Sequence, residues 1–213
     1  MRSSGEAWEA IYRKDANVFP EVFPRFPELA EAFAAHGCRT ILDLGCGSGR
    51  HVVALAKLGF QTWGLDLAPT GLRLAARWLD EESLRAPLVL SDARLPLPVR
   101  GAAFDGLLST QVIHHGTLAT IRAAVREVRR VVRPGGLVFI TVPHRLDGDV
   151  SHEEIEPGTF VPRSGIEEGV PHHIFSPQEL QAEMDGFRPI EVAPRGPVVL
   201  AFLGIREPDV AGV

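Results

Sequence analysis

The stretch from Ile41 to Gly49, I-L-D-L-G-C-G-S-G, constrains this chain more than any other. Thr40, Ile41 and Leu42 read as a buried strand, Asp43 as an acidic residue at its end, and Gly45, Gly47 and Gly49 as a tight turn. Glycine at every second position lets the backbone turn sharply and lets a ligand lie against it. A helix is expected from about Arg50, carrying Val52, Val53, Leu55, Ala56 and Leu58 until Gly59 stops it. The amides at its start carry partial positive charge and attract a carboxylate or phosphate. The turn therefore reads as a seat for something flat, polar and partly anionic.

From Thr40 onward strand and helix patterns alternate, the mark of a mostly parallel sheet covered on both faces. A second strand is expected over Phe60–Leu65, ending in Asp66, and a helix opens at Pro69. A third short strand, Leu88–Leu90, ends at Ser91 and Asp92; a fourth, Phe104–Leu108, ends in Ser109, Thr110 and Gln111. Leu118, Ile121, Val125, Val128 and Val132 form a helical stripe that Arg133-Pro134-Gly135-Gly136 should end, before a fifth strand over Leu137–Val142. Residues 143–175 break the rhythm, and a loop of that length is read as a lid insertion. Ser176-Pro177-Gln178-Glu179 is a capping box that opens a further helix. Arg188–Val192 and Val198–Ile205, joined by a short connection, should pair antiparallel. Residues 1–37 read as a helical cap, with Trp8, Ile11 and Tyr12 on one face, ahead of a main domain over 38–213; the cap is held open as an arm folding over the ligand site.

Composition removes several alternatives. At 213 residues, 45% hydrophobic and 23% charged, the chain has the size and balance of a soluble globular protein with one core. A net charge of −5 disfavours nucleic acid as a general partner, although Arg122, Arg126, Arg129, Arg130 and Arg133 crowd one helix. Cys38 and Cys46 have no metal-ligand spacing, and Cys46 sits inside the glycine turn, so a structural disulfide is not expected and a reducing cytoplasm is the default location. No apolar run is long enough to cross a bilayer, and the first residues lack a signal-peptide pattern.

In an open parallel sheet, ligands sit beyond the carboxyl ends of the strands. Asp43, Asp66 and Asp92 each fall at such an end. Asp66, about twenty residues past the turn, is placed to accept both hydroxyls of a ribose, and Asp92 to accept from an adenine amine. A dinucleotide is the competing ligand. Its fingerprint needs a third glycine where Arg50 stands, and Asp43 would repel a pyrophosphate. The same aspartate suits a ligand bearing an ammonium group.

Taken together, D-L-G-C-G-S-G, L-D-L at Asp66, S-D-A at 91–93, F-D-G-L-L-S-T-Q-V-I-H-H at 104–115 and R-P-G-G at 133–136 resemble class I S-adenosylmethionine-dependent methyltransferases, most closely the small type 11 group. The resemblance covers about residues 38–142. It implies an α/β, Rossmann-like three-layer sandwich whose mostly parallel seven-stranded sheet has an antiparallel last strand. It also implies that Gly45, Cys46 and Gly47 line the methionine portion of the donor, with Asp43 near its amino group. Asp66 and Leu67 would hold the ribose and adenine, Asp92 and Ala93 the adenine edge, while Ser109, Thr110 and Gln111 close the pocket; Tyr12 from the N-terminal arm is added to this set. The acceptor portion carries no such pattern, and a small molecule is expected there, with tRNA or protein methylation, or a non-catalytic donor-binding role, as alternatives.

Methyl transfer needs a base only if the acceptor must lose a proton first. His114 and His173 are the candidates, and His115, His172 and Phe175 the candidate substrate contacts. His144, His152, His172 and His173 show no helical i, i+4 spacing, so no metal site is expected. The oligomeric state is left open.

Overall fold

A computed structural model describes residues 4–14, 20–146 and 150–209. Helices α1 (Ser4–Lys14) and α2 (Phe26–Ala35) precede the alternating unit: β1 (Thr40–Leu44), α3 (Arg50–Lys57), β2 (Gln61–Asp66), α4 (Pro69–Glu81), β3 (Leu88–Leu90), β4 (Phe104–Thr110), α5 (Leu118–Val131) and β5 (Val132–Pro143). Three short strands follow, β6 (His152–Glu156), β7 (Thr159–Pro162) and β8 (His172–His173), then α6 (Pro177–Glu183), β9 (Phe187–Pro194) and β10 (Val199–Arg206).

Seven strands form one sheet in the order β3-β2-β1-β4-β5-β10-β9. The pairs from β3 to β5 are parallel, and β10 runs antiparallel to both β5 and β9. The expected α/β sandwich with an antiparallel final strand is therefore present. Strand order reverses between β1 and β4, so the carboxyl ends of β1, β2 and β4 flank the crevice where such sheets take ligands. Their central residues are apolar on both faces because helices cover both faces: Ile41 and Leu42 in β1, Leu107 and Leu108 in β4, and Val138 and Ile140 in β5 are all sealed from solvent.

One face is covered by α5, whose Ile121, Ala124, Val125 and Val128 share a cluster with Leu42, Leu44, Leu107 and Ile140. The other is covered partly by α2. Phe23, Phe26, Leu29 and Phe33 belong to the same cluster as Ile41, Leu108, Leu137 and Phe139, so this part of the N-terminal region lies within the core of the sheet. Helix α1 sits differently. Glu9 on α1 accepts from the Thr70 amide at 2.8 Å and from the Thr70 hydroxyl at 2.6 Å. It thereby caps the start of α4, whose own N-cap residue Ala68 has no side-chain bond to offer.

Two segments depart from the sequence reading. The Arg133–Gly136 turn expected to end α5 is already strand. β5 begins at Val132 directly after the helix and carries an irregular register against β4 between Phe104 and Gly106. Residues 143–175 contain the sheet β6-β7-β8. Its strands escape pattern recognition because β6 is His152-Glu153-Glu154-Ile155-Glu156, with no apolar face, and β8 has only two residues.

Four of the five arginines of the 122–133 cluster, three on α5 and Arg133 at the start of β5, are engaged by the chain's own oxygens. Arg122 pairs with Glu183, Arg129 with Asp209, Arg130 with Glu127, and Arg133 with Asp105. Most of the positive charge on this solvated face is thus paired within the chain.

Candidate functional site

Beyond the strand ends lies a cavity of about 470 Å³. The glycine turn forms its floor. Gly45 and Gly47 both have left-handed backbone (φ 78° and 54°), and a Cβ at Gly47 would run into the Tyr12 hydroxyl. Any larger residue at 47 would thus meet both a strained backbone and an occupied space.

Asp66 fastens this floor to the second strand. The Gly47 amide donates to Asp66 Oδ2 and the Ala68 amide to Asp66 Oδ1, each at 2.8 Å. Burial raises the Asp66 carboxyl above its usual range, and these amides pull it back toward the ionised form. A carboxylate has about four acceptor positions, so the two amides leave others for ligand hydroxyls.

Asp43 is buried and does not itself line the cavity. Neither of its oxygens has a hydrogen-bond partner among the described residues. Burial pushes its carboxyl up to about 7, with the Arg50 guanidinium pulling it down and Asp66 pushing it further up. Arg50 lines the cavity at the first position of α3, donating to Thr110 Oγ1 at 3.2 Å and to the Glu21 carbonyl at 2.9 Å. The place expected for a donor ammonium beside Asp43 is therefore shared with a fixed cation. That cation also attracts a carboxylate.

Tyr12, Cys46, Leu67, Asp92, Ala93, Thr110 and Gln111 all line the cavity, as do His114, His115 and His172. Burial, with Asp66 and the Cys46 thiol nearby, holds the Tyr12 phenol above its ordinary range, so it stays protonated and can donate. The Asp92 carboxylate is gripped by Arg94, whose Nε lies 2.8 Å from Oδ1 and whose Nη2 lies 2.6 Å from Oδ2. This ion pair holds Asp92 below the usual carboxylate range despite burial, and it competes for the oxygens expected to meet an adenine amine. Gln111 adopts a left-handed backbone (φ 58°), a conformation rare outside glycine, and its amide donates to the Thr141 carbonyl at 3.0 Å.

Besides Asp43, three expected site residues lie off the cavity lining. Ser109 is sealed off and donates its hydroxyl to the Leu44 carbonyl at 2.9 Å, tying β4 to β1. His173 is fully buried between Thr159 Oγ1 (2.7 Å from Nδ1) and Glu179 Oε1 (3.1 Å from Nε2). Phe175 packs beside it, ring centroids 4.6 Å apart, within the main core. Successive strand residues point to opposite faces, so when His172 faces the cavity His173 cannot. His173 and Phe175 hold the small sheet to α6 and to the core, and the expectation of a base and a substrate contact at these positions is corrected.

Several lining residues carry no part in the sequence reading of the site. Arg50 and Arg94 were visible as neighbours of the motifs, one in place of a third glycine and one two residues after Asp92. Trp8 was visible as an aromatic on the α1 stripe, and its ring meets His115 edge-on with centroids 5.2 Å apart. Leu146, Val150, Ile166 and Glu167 come from the 143–175 segment and had no local signal.

A glycine turn is thus tied to an acidic strand end at the switch point of this sheet, where the resemblance to class I S-adenosylmethionine-dependent methyltransferases expects the donor. Residues 41–136 match the methyltransferase domain family. A ubiquinone biosynthesis O-methyltransferase of Methylobacterium sp. (strain 4-46) is 35% identical over 107 residues, which is 50% of this chain and 41% of that relative. Its counterpart from Mesorhizobium japonicum is 32% identical over 58% of this chain and 47% of its own length. The matched region is thus less than half of either relative. Among solved structures, 1,6-didemethyltoxoflavin-N1-methyltransferase of Burkholderia thailandensis, with 1,6-didemethyltoxoflavin and S-adenosylhomocysteine bound, superposes with a TM-score of 0.70 at 21% identity, covering 96% of this chain and 87% of that one. An S-adenosylmethionine-dependent methyltransferase from Clostridium acetobutylicum gives 0.69 at 13% identity, covering 97% and 100%. At these identities the structural likeness is one of fold.

Proposed function

We propose that the protein transfers the methyl group of S-adenosylmethionine to a small-molecule acceptor. The observation that carries this reading is the joining of the glycine floor to Asp66 by the 2.8 Å bond from the Gly47 amide, inside a cavity at the sheet's switch point. The orphaned oxygens of Asp43 also fit a donor that brings positive charge close to them.

In this reading Gly45, Cys46 and Gly47 lie along the methionine portion, and Arg50 receives its carboxylate. Asp43 supplies the negative field that offsets Arg50 and favours the ammonium group. Asp66 accepts from the ribose, Leu67 and Ala93 flank the adenine, and Asp92 with Arg94 borders its edge. Thr110, Gln111 and Tyr12 close the pocket. When bound, the donor supplies an activated methyl group on a sulfonium. The chain's own task is alignment of the acceptor and exclusion of water.

The acceptor side is built from apolar Leu146, Val150, Ile166 and Ile174 and from His114, His115 and His172. Burial holds His114 well below its ordinary range, with the neighbouring histidines adding to the effect, so its imidazole is neutral and has a lone pair to offer. The pairing of Arg122, Arg129, Arg130 and Arg133 within the chain weighs against an RNA acceptor. Incubating the protein with isotope-labelled donor and separate metabolite and RNA extracts, followed by mass spectrometry, tests the reading. Label in a metabolite is expected; label confined to RNA or to protein overturns the small-molecule assignment.

Residues 143–175, with the β6-β7-β8 sheet, act as the lid over this end. Amide exchange in 150–175 should slow when S-adenosylhomocysteine and an acceptor bind together. Identical exchange with and without ligands would remove the lid role.

A further inference from the structure

The acceptor end of the cavity holds an unusual concentration of imidazole. His114 and His115 come from the turn after β4, and His172 comes from β8. Each offers one ligating nitrogen, and these nitrogens all lie within 4.8 Å of one another. Ring centroids are 3.9 Å apart for His114 and His115, 4.9 Å for His115 and His172, and 5.4 Å for His114 and His172. His114 Nδ1 and His115 Nε2 are shielded from solvent and have no hydrogen-bond partner among the described residues. Unmet polar atoms in such a place are costly, and they persist where something else takes up their lone pairs. Glu167 stands alongside, with Oε2 3.2 Å from His172 Nε2.

We propose that His114, His115 and His172 form a binding site for a transition-metal dication of the Zn²⁺ type, with Glu167 as the neighbouring carboxylate that balances its charge. Imidazole nitrogen selects such ions over Mg²⁺ or Ca²⁺, which prefer oxygen. A tetrahedral site with bonds of about 2.1 Å places its nitrogens about 3.4 Å apart, so closing this cluster requires movements of about 1 Å. Rotation of the side chains supplies that much.

Resting on the methyl-transfer reading, the site also narrows the acceptor's chemistry. An ion with three histidine ligands keeps a fourth position for the acceptor, and it favours a hydroxyl, phenol or thiol that coordinates as its anion. The proton lost from that group passes to solvent. An electron pair of the acceptor's oxygen or sulfur forms the new bond to the methyl carbon, and the electron pair of the broken carbon–sulfur bond stays on the donor's sulfur. The charges balance: anion and sulfonium become two neutral groups.

The test uses full-length protein freed of metal by chelator and titrated with Co²⁺, then Zn²⁺ and Mg²⁺, without donor. One equivalent of Co²⁺ should bind with the visible bands of a four-coordinate nitrogen-rich site, Zn²⁺ should displace it, and Mg²⁺ should not. Glu167→Gln should weaken binding about 10–100-fold, and His172→Ala should abolish the bands while circular dichroism shows a folded protein. His36→Gln should change nothing, because His36 bonds to the Gly135 carbonyl at 3.0 Å, away from the cavity. Folded wild-type protein that binds no Co²⁺, or a His172→Ala protein that binds it as well as wild type, overturns the proposal. Failure of the methyl-transfer reading shows separately, as absence of S-adenosylhomocysteine binding by calorimetry.

Discussion

Asp66→Ala should weaken S-adenosylhomocysteine binding by about 2 kcal/mol or more, roughly thirtyfold, and should also lower the melting temperature. Each hydrogen bond to a charged group contributes about 1.5–3 kcal/mol, and a ribose engages Asp66 through two hydroxyls. The loss of stability has another origin. Asp66 is the acceptor for the amides of Gly47 and Ala68, and removing it leaves two buried donors unpaired at about 1–3 kcal/mol each. Asp66→Asn separates the effects, because the amide keeps one acceptor oxygen for the backbone but loses the charge that favours the ribose. Calorimetry with S-adenosylhomocysteine alongside thermal melts of both variants makes the comparison. Affinity unchanged in Asp66→Ala would remove the ribose assignment.

Phe33→Ala should be the most damaging single change in the N-terminal region, costing about 3–5 kcal/mol. Phe33 is fully buried on α2, and a Cβ built on Gly106 of β4 would come within 2.8 Å of its ring. The ring therefore fills space that the sheet leaves open by having glycine there. At about 2–4 °C per kcal/mol for a chain of this size, the melting temperature should fall by roughly 10 °C. Donor affinity measured well below the melting point should barely change. The same packing predicts that residues 38–213 alone would expose Ile41, Leu108 and Phe139, which Phe23, Phe26 and Phe33 now cover. A shift of less than about 1 kcal/mol in urea unfolding of Phe33→Ala would mean that α2 is a separable part of the 1–37 cap.

Much of the cavity floor was legible because its signals are local. A glycine turn after an apolar strand, Asp66 some twenty residues on, and acidic residues at successive strand ends all act through spacing along the chain. The capping box is of the same kind: Ser176 Oγ accepts the Glu179 amide at 3.1 Å, and α6 starts where the box places it. Helix and strand positions followed for the same reason, since burial on one or two faces imposes its period on the residues that obey it.

Residue direction and partner choice across long sequence separations were decided only in three dimensions. Which of His172 and His173 faces the cavity depends on the phase of a two-residue strand, too short to leave a period in the sequence. Whether Asp92 meets a ligand or Arg94 depends on a rotamer, and whether Asp43 meets the cavity depends on what stands beside it, namely Arg50. The convergence of His114, His115 and His172 joins segments almost sixty residues apart, held where the His173 amide donates to the His114 carbonyl at 2.9 Å, and a two-residue β8 advertises no strand. Local patterning thus determined the glycine floor of the cavity and the elements around it. The acceptor end was set by packing, because contacts between distant segments leave no periodic trace in either one.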